Sequence, residues 1–105
     1  MAVRLSVPDR AEIGEVVEIK ALIQHEMESG FRRGSRGEVI PRDIITSFLC
    51  TANDEEVFRW ELHPGISANP FITFHLRVEA PTKLIFLWTD QHGVETRDEA
   101  DIAIA

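Results

Sequence analysis

The sequence is poor in cysteine, tyrosine and basic residues. Its 105 residues include one cysteine and no tyrosine, and 18 aspartates and glutamates outnumber 11 lysines and arginines, which gives a formal charge of −7. One cysteine excludes an internal disulfide and any metal site built from several thiolates. The acidic balance argues against nucleic-acid binding, because a protein that binds phosphate backbones needs cationic charge.

Long hydrophobic runs are also missing. No stretch approaches the roughly 18 consecutive apolar residues that indicate a transmembrane helix. Near the N-terminus, Ser6, Asp9 and Arg10 interrupt the segment in which a secretory signal would have an unbroken apolar run. Taken alone, these absences predict a cytoplasmic protein that does not enter a membrane.

Hydrophobic residues are nevertheless plentiful, and most of them recur with period two. A hydrophobic share of 44% supports a packed core, and no linker or repeat divides the chain, so we expect one domain over residues 1–105. The alternation predicts seven strands, at residues 3–7, 14–23, 44–52, 57–63, 71–78, 83–89 and 94–105. This pattern predicts an all-β fold, an antiparallel β-sandwich of immunoglobulin-like or fibronectin-like architecture.

Several strand predictions depend on local detail. Residues 14–23 also fit helical spacing, but the glycine at their start and their valine and isoleucine content favour a strand. Residues 83–89 are apolar on both faces, which indicates a central strand. A four-residue polar turn is expected at 53–56, and Pro8-Asp9-Arg10 is expected to end the first strand. Asp98 interrupts the alternation of the last strand, so a β-bulge is expected there.

Residues 24–42 break the alternation and form the longest predicted loop. Three glycines and four of the chain's nine arginines lie in this segment, including Arg32, Arg33 and Arg42. A loop of this length in a compact domain is more often functional than accidental. By composition alone, a solvated arginine cluster is the simplest interpretation.

The residues that could support catalysis are few. Cys50 lies within a predicted strand on the same face as Phe48, which favours a buried thiol over a nucleophile. A metal could be held by acids and histidines drawn from His25, Glu26, Glu28, His63 and His75, but the local spacing typical of metal sites is missing. Phosphate-loop and nucleophile-elbow motifs are also missing, so the residues favour binding over catalysis.

Two loops contain a longer pattern. The stretch His25-Glu26-Met27-Glu28-Ser29-Gly30-Phe31-Arg32 is followed by Gly37, by Ile40-Pro41-Arg42 and by Ile44-Ile45. Further matching segments are Phe48 to Cys50-Thr51, Val57-Phe58, His63-Pro64, Ile66-Ser67-Ala68-Asn69-Pro70 and Asp90 to Gly93. This pattern resembles the SoxZ family, whose members are non-catalytic subunits of the SoxYZ carrier in bacterial thiosulfate oxidation. Glu26 stands where the family usually has proline, Ser29 replaces threonine, and the turn at Asn53-Asp54 lacks the family's frequent Asn-Gly.

The resemblance implies a function that the residues alone do not. In the family, SoxY bears the substrate sulfur on a cysteine in a glycine-rich C-terminal arm, and SoxZ pairs with it as a second β-sandwich. The resemblance therefore implies that this chain is not an enzyme, has no catalytic residue, cofactor or metal, and forms a heterodimer with SoxY that serves other Sox enzymes. Candidate contacts to the partner or its arm are His25, Met27, Arg32, Arg33, Pro41, Arg42, Ser67, Ala68, Asn69 and Pro70.

The resemblance also changes the expected compartment. SoxZ proteins reach the periplasm with a SoxY that bears a twin-arginine signal, so a periplasmic location is implied although this chain shows no signal peptide of its own. Self-association without the partner is left open. The alternative from another class is a stand-alone immunoglobulin-like adhesion or carbohydrate-binding module, in which Phe71 would be the clearest exposed aromatic residue. A small metalloenzyme is the third hypothesis.

Overall fold

The computed structural model describes residues 2–105 and contains eight β-strands. The strands are β1 (Val3–Ser6), β2 (Arg10–Ala11), β3 (Glu15–Ile23), β4 (Ile45–Ala52), β5 (Glu55–Glu61), β6 (Phe71–Val78), β7 (Thr82–Asp90) and β8 (Glu95–Ile104). The predicted all-β fold is confirmed, and residues 15–23 form a strand, not a helix. No helix in this part of the chain has the length and hydrophobicity needed to cross a bilayer.

Two sheets make up the sandwich. One has three strands in the order β1-β3-β6, and the other has five in the order β2-β8-β7-β4-β5. All neighbouring strands are antiparallel except β2 and β8, which pair in parallel. β7 lies in the middle of the five-stranded sheet, which confirms the central position predicted from its two apolar faces.

The core lies between the two sheets and is rich in aromatic side chains. Phe48 of β4 is fully buried, with its ring centroid 4.9 Å from that of Trp88 and 6.2 Å from that of Phe86. Phe58 of β5 stacks on Phe74 of β6 at 4.8 Å and so connects the two sheets. Burial of each large apolar side chain stabilises the fold by about 1.5 to 3 kcal/mol.

The break predicted at Pro8-Asp9-Arg10 in the first strand is confirmed, since β1 ends at Ser6. The chain leaves the three-stranded sheet after Ser6, and Arg10 and Ala11 then pair with Ala103 and Ile104 of β8. The sequence signals the break because proline has no N–H for a ladder. A two-residue strand is too short to show an alternation, so β2 was not predicted.

The predicted four-residue turn at 53–56 is wrong, because the turn has two residues. Asn53 and Asp54 have φ values of 49° and 68°, which is the geometry of a two-residue hairpin turn, and β5 begins at Glu55. The Asn53 side chain accepts a hydrogen bond from the Lys83 N–H at 2.9 Å and donates one to the Pro81 carbonyl at 3.1 Å. These bonds hold the left-handed backbone without a glycine.

The β-bulge predicted near Asp98 is also wrong. The β7–β8 register is continuous from Thr82↔Ile102 to Thr89↔Glu95, and Asp98 pairs with Phe86. β2 covers only the last part of β8, so the edge at 95–101 is open to water and a half-buried carboxylate is tolerated there. The register shifts occur in β4, between Ile45 and Ser47 against β7 and between Cys50 and Thr51 against β5.

Candidate functional site

The segment between β3 and β4 is an ordered extension at one end of the sandwich. It contains two isolated antiparallel bridges, Glu28↔Asp43 and Arg33↔Val39. Glu28 and Asp43 exchange two backbone hydrogen bonds of 2.8 and 2.9 Å, so the two halves of the segment lie side by side. The predicted long loop is therefore confirmed, and it is folded on itself as an irregular hairpin.

Met27 anchors this segment in the core. Its side chain is 6% exposed, and its thioether sulfur accepts a hydrogen bond from the Ile45 N–H at 3.2 Å. The Met27 backbone has a φ of 55°, a conformation that costs an L-residue about 1 kcal/mol or more. Burial of the side chain holds this conformation, so Met27 positions the loop around it.

His25 connects two loops at the same end of the sandwich, its own and the one that contains Asn69. The His25 N–H donates a hydrogen bond to Asn69 Oδ1 at 2.9 Å, and the His25 carbonyl accepts one from the Asn69 N–H at 2.6 Å. Its Nδ1 accepts the Met27 N–H at 2.9 Å, which places the proton of a neutral imidazole on Nε2. Nε2 lies 3.6 Å from Asp43 Oδ1, and the Nε2 of His92 lies 4.0 Å from the same oxygen.

Arg42 joins the segment between β3 and β4 to the turn between β7 and β8, which contains Gln91. Its Nε donates to Gln91 Oε1 at 3.1 Å, and Gln91 Nε2 donates back to the Arg42 carbonyl at 3.0 Å. Gly30 lies directly beside Arg42, since a Cβ on this glycine would be 3.2 Å from the arginine Cβ. Gly30 also has a φ of 89°, so both its conformation and its neighbour require glycine.

The arginines of the loop are largely compensated. Arg32 makes a bidentate ion pair with Glu28, with N–O distances of 2.6 and 3.1 Å. This hydrogen bonding lowers the pKa of Glu28 and raises the pKa of Arg32 from their ordinary values. Arg33 donates to the Gly37 carbonyl at 3.0 Å. Residues 24–42 contain three glutamates beside the four arginines, so the segment is close to neutral.

The structure divides the ten predicted contact residues into two groups. Met27 and Pro70 are buried, and the His25 side chain is 6% exposed, so these three shape the loops from inside. The other seven are exposed: Arg32, Arg33, Pro41, Arg42, Ser67, Ala68 and Asn69. Hydrogen bonds join the His25 and Asn69 loops, but over residues 2–105 none joins Arg32 or Arg33 to residues 67–70. Their contact with a partner stays a prediction.

Cys50 is a core residue, as predicted. The side chain is fully buried in β4, and burial raises the pKa of its thiol to about 12. A thiol with this pKa is protonated at neutral pH and is a poor nucleophile.

The histidines and acids considered for a metal site lie apart. His75 is on the exposed face of the three-stranded sheet, 3.7 Å from Glu18, and His63 is exposed after β5. Within residues 2–105, no three His, Cys, Asp or Glu side chains are grouped so that they could hold a metal ion.

Sequence reasoning missed the residues that link the loops. None of Asp43, Gln91 and His92 was a predicted contact residue, yet Asp43 lies 3.6 Å from His25, Gln91 bonds to Arg42, and His92 lies 4.0 Å from Asp43. The contacts between Arg42 and Gln91 span 49 positions along the chain. A single sequence contains no local signal for such pairs.

Comparisons with known proteins agree with the fold. The model of the family described as sulphur oxidation protein SoxZ matches residues 3–101. A solved superoxide reductase (neelaredoxin) from Ignicoccus hospitalis is similar with a TM-score of 0.78 and 12% identity, over 100% of this chain and 81% of that one. The sulfur carrier protein SoxY from Chlorobium limicola f thiosulfatophilum gives a TM-score of 0.72 and 13% identity, over 100% and 80%. At these identities the two structures show a shared fold alone. No curated protein sequence matches significantly.

Proposed function

This chain belongs to the SoxZ family, and from that premise we propose that it is a non-catalytic scaffold subunit that pairs with a SoxY-type chain. Together the two chains would form the covalent sulfur carrier of a thiosulfate-oxidising system. The family match over residues 3–101 is the observation that carries this proposal.

The state of Cys50 supports a non-catalytic role. A residue that carries sulfur covalently must be exposed and reactive as a thiolate. Cys50 is fully buried and its pKa is raised to about 12. In the proposed complex the sulfur is therefore bound to the partner's arm, and this chain supplies a rigid sandwich beside it. The likeness in fold to a SoxY structure supports a partner of similar architecture.

We place the complex in the periplasm, as the family implies. Export would occur with the SoxY-type partner, whose twin-arginine signal would serve both chains. Fractionation of cells that express both chains tests this location, with a variant partner that lacks its signal as the control. Loss of the signal should leave both chains in the cytoplasm.

Co-expression with a SoxY-type chain tests the pairing. We expect the two chains to purify together as a 1:1 heterodimer, with the mass measured by light scattering. After incubation with the other components of the oxidising system, intact-mass spectrometry should show sulfur adducts on the partner and none on this chain. A chain that stays alone when the partner is present, or one that gains adducts on Cys50, would contradict the proposal.

The arginine-containing loop is the proposed contact to the partner or its arm. Guanidinium groups bind sulfonate-type anions through charge-assisted hydrogen bonds, but the Arg32 guanidinium is already paired with the Glu28 carboxylate. Arg33, which is exposed and bonds only to the Gly37 carbonyl among residues 2–105, is the more available cation.

Charge reversal separates the two kinds of contact. Arg32→Glu combined with Arg33→Glu should weaken SoxY binding if the loop lies in the interface, and should slow carrier turnover alone if it contacts the arm. Arg33→Glu by itself leaves the Glu28 ion pair in place. The matched control is Arg59→Glu with Arg97→Glu, which changes the charge equally on the exposed face of the five-stranded sheet. No change in affinity or turnover with the loop variant would overturn the loop contact.

A further inference from the structure

The four sheet edges differ in how well they are protected against pairing with another strand. An exposed edge strand offers unpaired backbone N–H and C=O groups, and proteins protect such edges with short strands, charges, prolines or bulges. β1 has four residues and β2 has two. β5 contains four charged residues among seven and a register shift against β4. The part of β8 left open beyond β2, residues 95–101, has five charged residues among seven.

β6 has the fewest of these protections. It forms the edge of the three-stranded sheet, and among residues 2–105 β3 is its one hydrogen-bonded neighbour. Its eight residues, FITFHLRV, contain one fixed charge, Arg77, and no proline or glycine. The β3–β6 register is continuous from Glu15↔Val78 to Leu22↔Phe71. β6 is therefore a long, regular edge strand of high β-propensity.

The backbone hydrogen bonds show which groups of β6 face the open edge. Ile23, which follows the Leu22↔Phe71 pair in register, donates its N–H to the Pro70 carbonyl at 3.4 Å. Hydrogen-bonded and non-hydrogen-bonded pairs alternate in an antiparallel ladder. The backbone groups that bond to β3 are therefore those of Ile72, Phe74 and Leu76. The backbone groups that point away from β3, toward the open edge, are those of Phe71, Thr73 and His75.

An apolar slot lies beside this edge. The cavity has a volume of about 250 Å³ and is lined by Phe58, Trp60, Phe71, Ile72 and Thr73. Phe58 and Trp60 come from β5, the edge strand of the other sheet, so the slot is the gap between two sheet edges. Phe71 is 54% exposed at its rim. A strand added to β6 would cover the slot and could place every second side chain in it.

We propose that the β6 edge is the docking site for a β-strand of the SoxY-type partner, which extends the three-stranded sheet across the heterodimer. The proposal rests on the proposed function and deepens it by naming the surface and the occupant. The incoming strand pairs with the outward N–H and C=O groups of Thr73 and His75, and its inward side chains are apolar and fill the slot. A partner with a β-sandwich fold has such edge strands to offer.

A proline at an outward-facing position tests the pairing. Thr73→Pro removes an N–H that points away from β3, and an edge strand tolerates proline where the N–H faces solvent. We expect the variant chain to fold and to bind the SoxY-type chain at least about tenfold more weakly. The matched control is Arg59→Pro on β5. The Leu62 N–H donates to the Thr46 carbonyl, which shows which residues of β5 bond to β4. By the alternation of the ladder, the Arg59 N–H points away from β4, as the Thr73 N–H points away from β3. The control should bind like the wild type.

Amide hydrogen exchange of the wild-type chain provides a second test that does not depend on a variant. In the isolated chain the Thr73 and His75 amides should exchange quickly and the Phe74 amide slowly. In the complex the Thr73 and His75 amides should slow by at least about tenfold. Unchanged exchange together with wild-type affinity of Thr73→Pro, in a complex that forms, overturns the docking edge and leaves the proposed function standing. Failure of the wild-type chains to associate overturns the proposed function itself. Protection that develops in the isolated chain as its concentration rises shows a second copy on β6 and overturns the named occupant.

Discussion

Replacing Asn69 should measure how strongly the loops at one end of the sandwich are tied together. Asn69 accepts the His25 N–H at 2.9 Å and has a φ of 54°. Asn69→Ala removes the acceptor, which costs about 0.5 to 1.5 kcal/mol for a partly exposed hydrogen bond. Alanine in a left-handed conformation adds about 1 kcal/mol. We expect a loss of about 2 kcal/mol in the free energy of unfolding, which lowers Tm by roughly 8 to 16 °C in a domain near 100 residues.

Two further substitutions at the same position separate the contributions. Asn69→Asp keeps both the acceptor and the tolerance of positive φ, so its stability should stay within about 0.5 kcal/mol of the wild type. Asn69→Gly removes the acceptor without the backbone strain, and should lose about 1 kcal/mol. Urea unfolding gives the free energies, and exchange of the His25 amide shows whether the loop opens locally. An Asn69→Ala chain within about 0.5 kcal/mol of the wild type, with an unchanged His25 amide, would refute this reasoning.

Two other predictions concern ionisable groups. Burial raises the pKa of Cys50 from 9.0 to about 12, so its thiolate fraction at pH 8 is about 1000-fold below that of an exposed thiol, and iodoacetamide should label it in unfolded but not in native protein. Because the folded state binds the thiol proton more tightly than the unfolded state, the free energy of unfolding has its full value below pH 9 and falls between pH 9 and 12. A Cys50→Ala control should lack this fall, and rapid labelling of the native protein would contradict the burial of Cys50. For Glu28, hydrogen bonding to Arg32 lowers the carboxyl pKa, so the pair stabilises the fold above the ordinary pKa of glutamate and this is lost as pH falls through the lowered value. A carboxyl NMR titration should show the Glu28 pKa rising in Arg32→Ala but not in Arg33→Ala; an unchanged value in Arg32→Ala would show that the ion pair is not formed in solution.

Strand positions could be predicted from the sequence because each strand has its own pattern of burial. In β6 the inward residues Ile72, Phe74 and Val78 alternate with exposed ones, which is the period-two signal in its simplest form. The hairpin turn was predicted two residues too long, because Glu55 and Glu56 are polar yet extended, and polarity alone does not distinguish a turn from an exposed edge strand.

The candidate site could be predicted only in part. The loops were found because their glycines, prolines and arginines interrupt the alternation, but their partners lie far away in sequence. Asn69 bonds to His25 across 44 positions, and no spacing rule indicates that contact. Likewise, the weakly protected edge of β6 depends on which strands are neighbours, which the pattern of one strand does not contain.

The pairing of β2 with β8 has a consequence for the order of folding. Arg10 lies opposite Ala103, so residues at the start of the chain join the five-stranded sheet only when the last strand is in place. Contacts between residues so distant in sequence require closure of a long loop, and they slow folding in proteins of high contact order. Until that closure the β8 end of the core would be uncovered, because Ala11 is one of its buried residues. The shortest strand of the sandwich would thus be among the last to form.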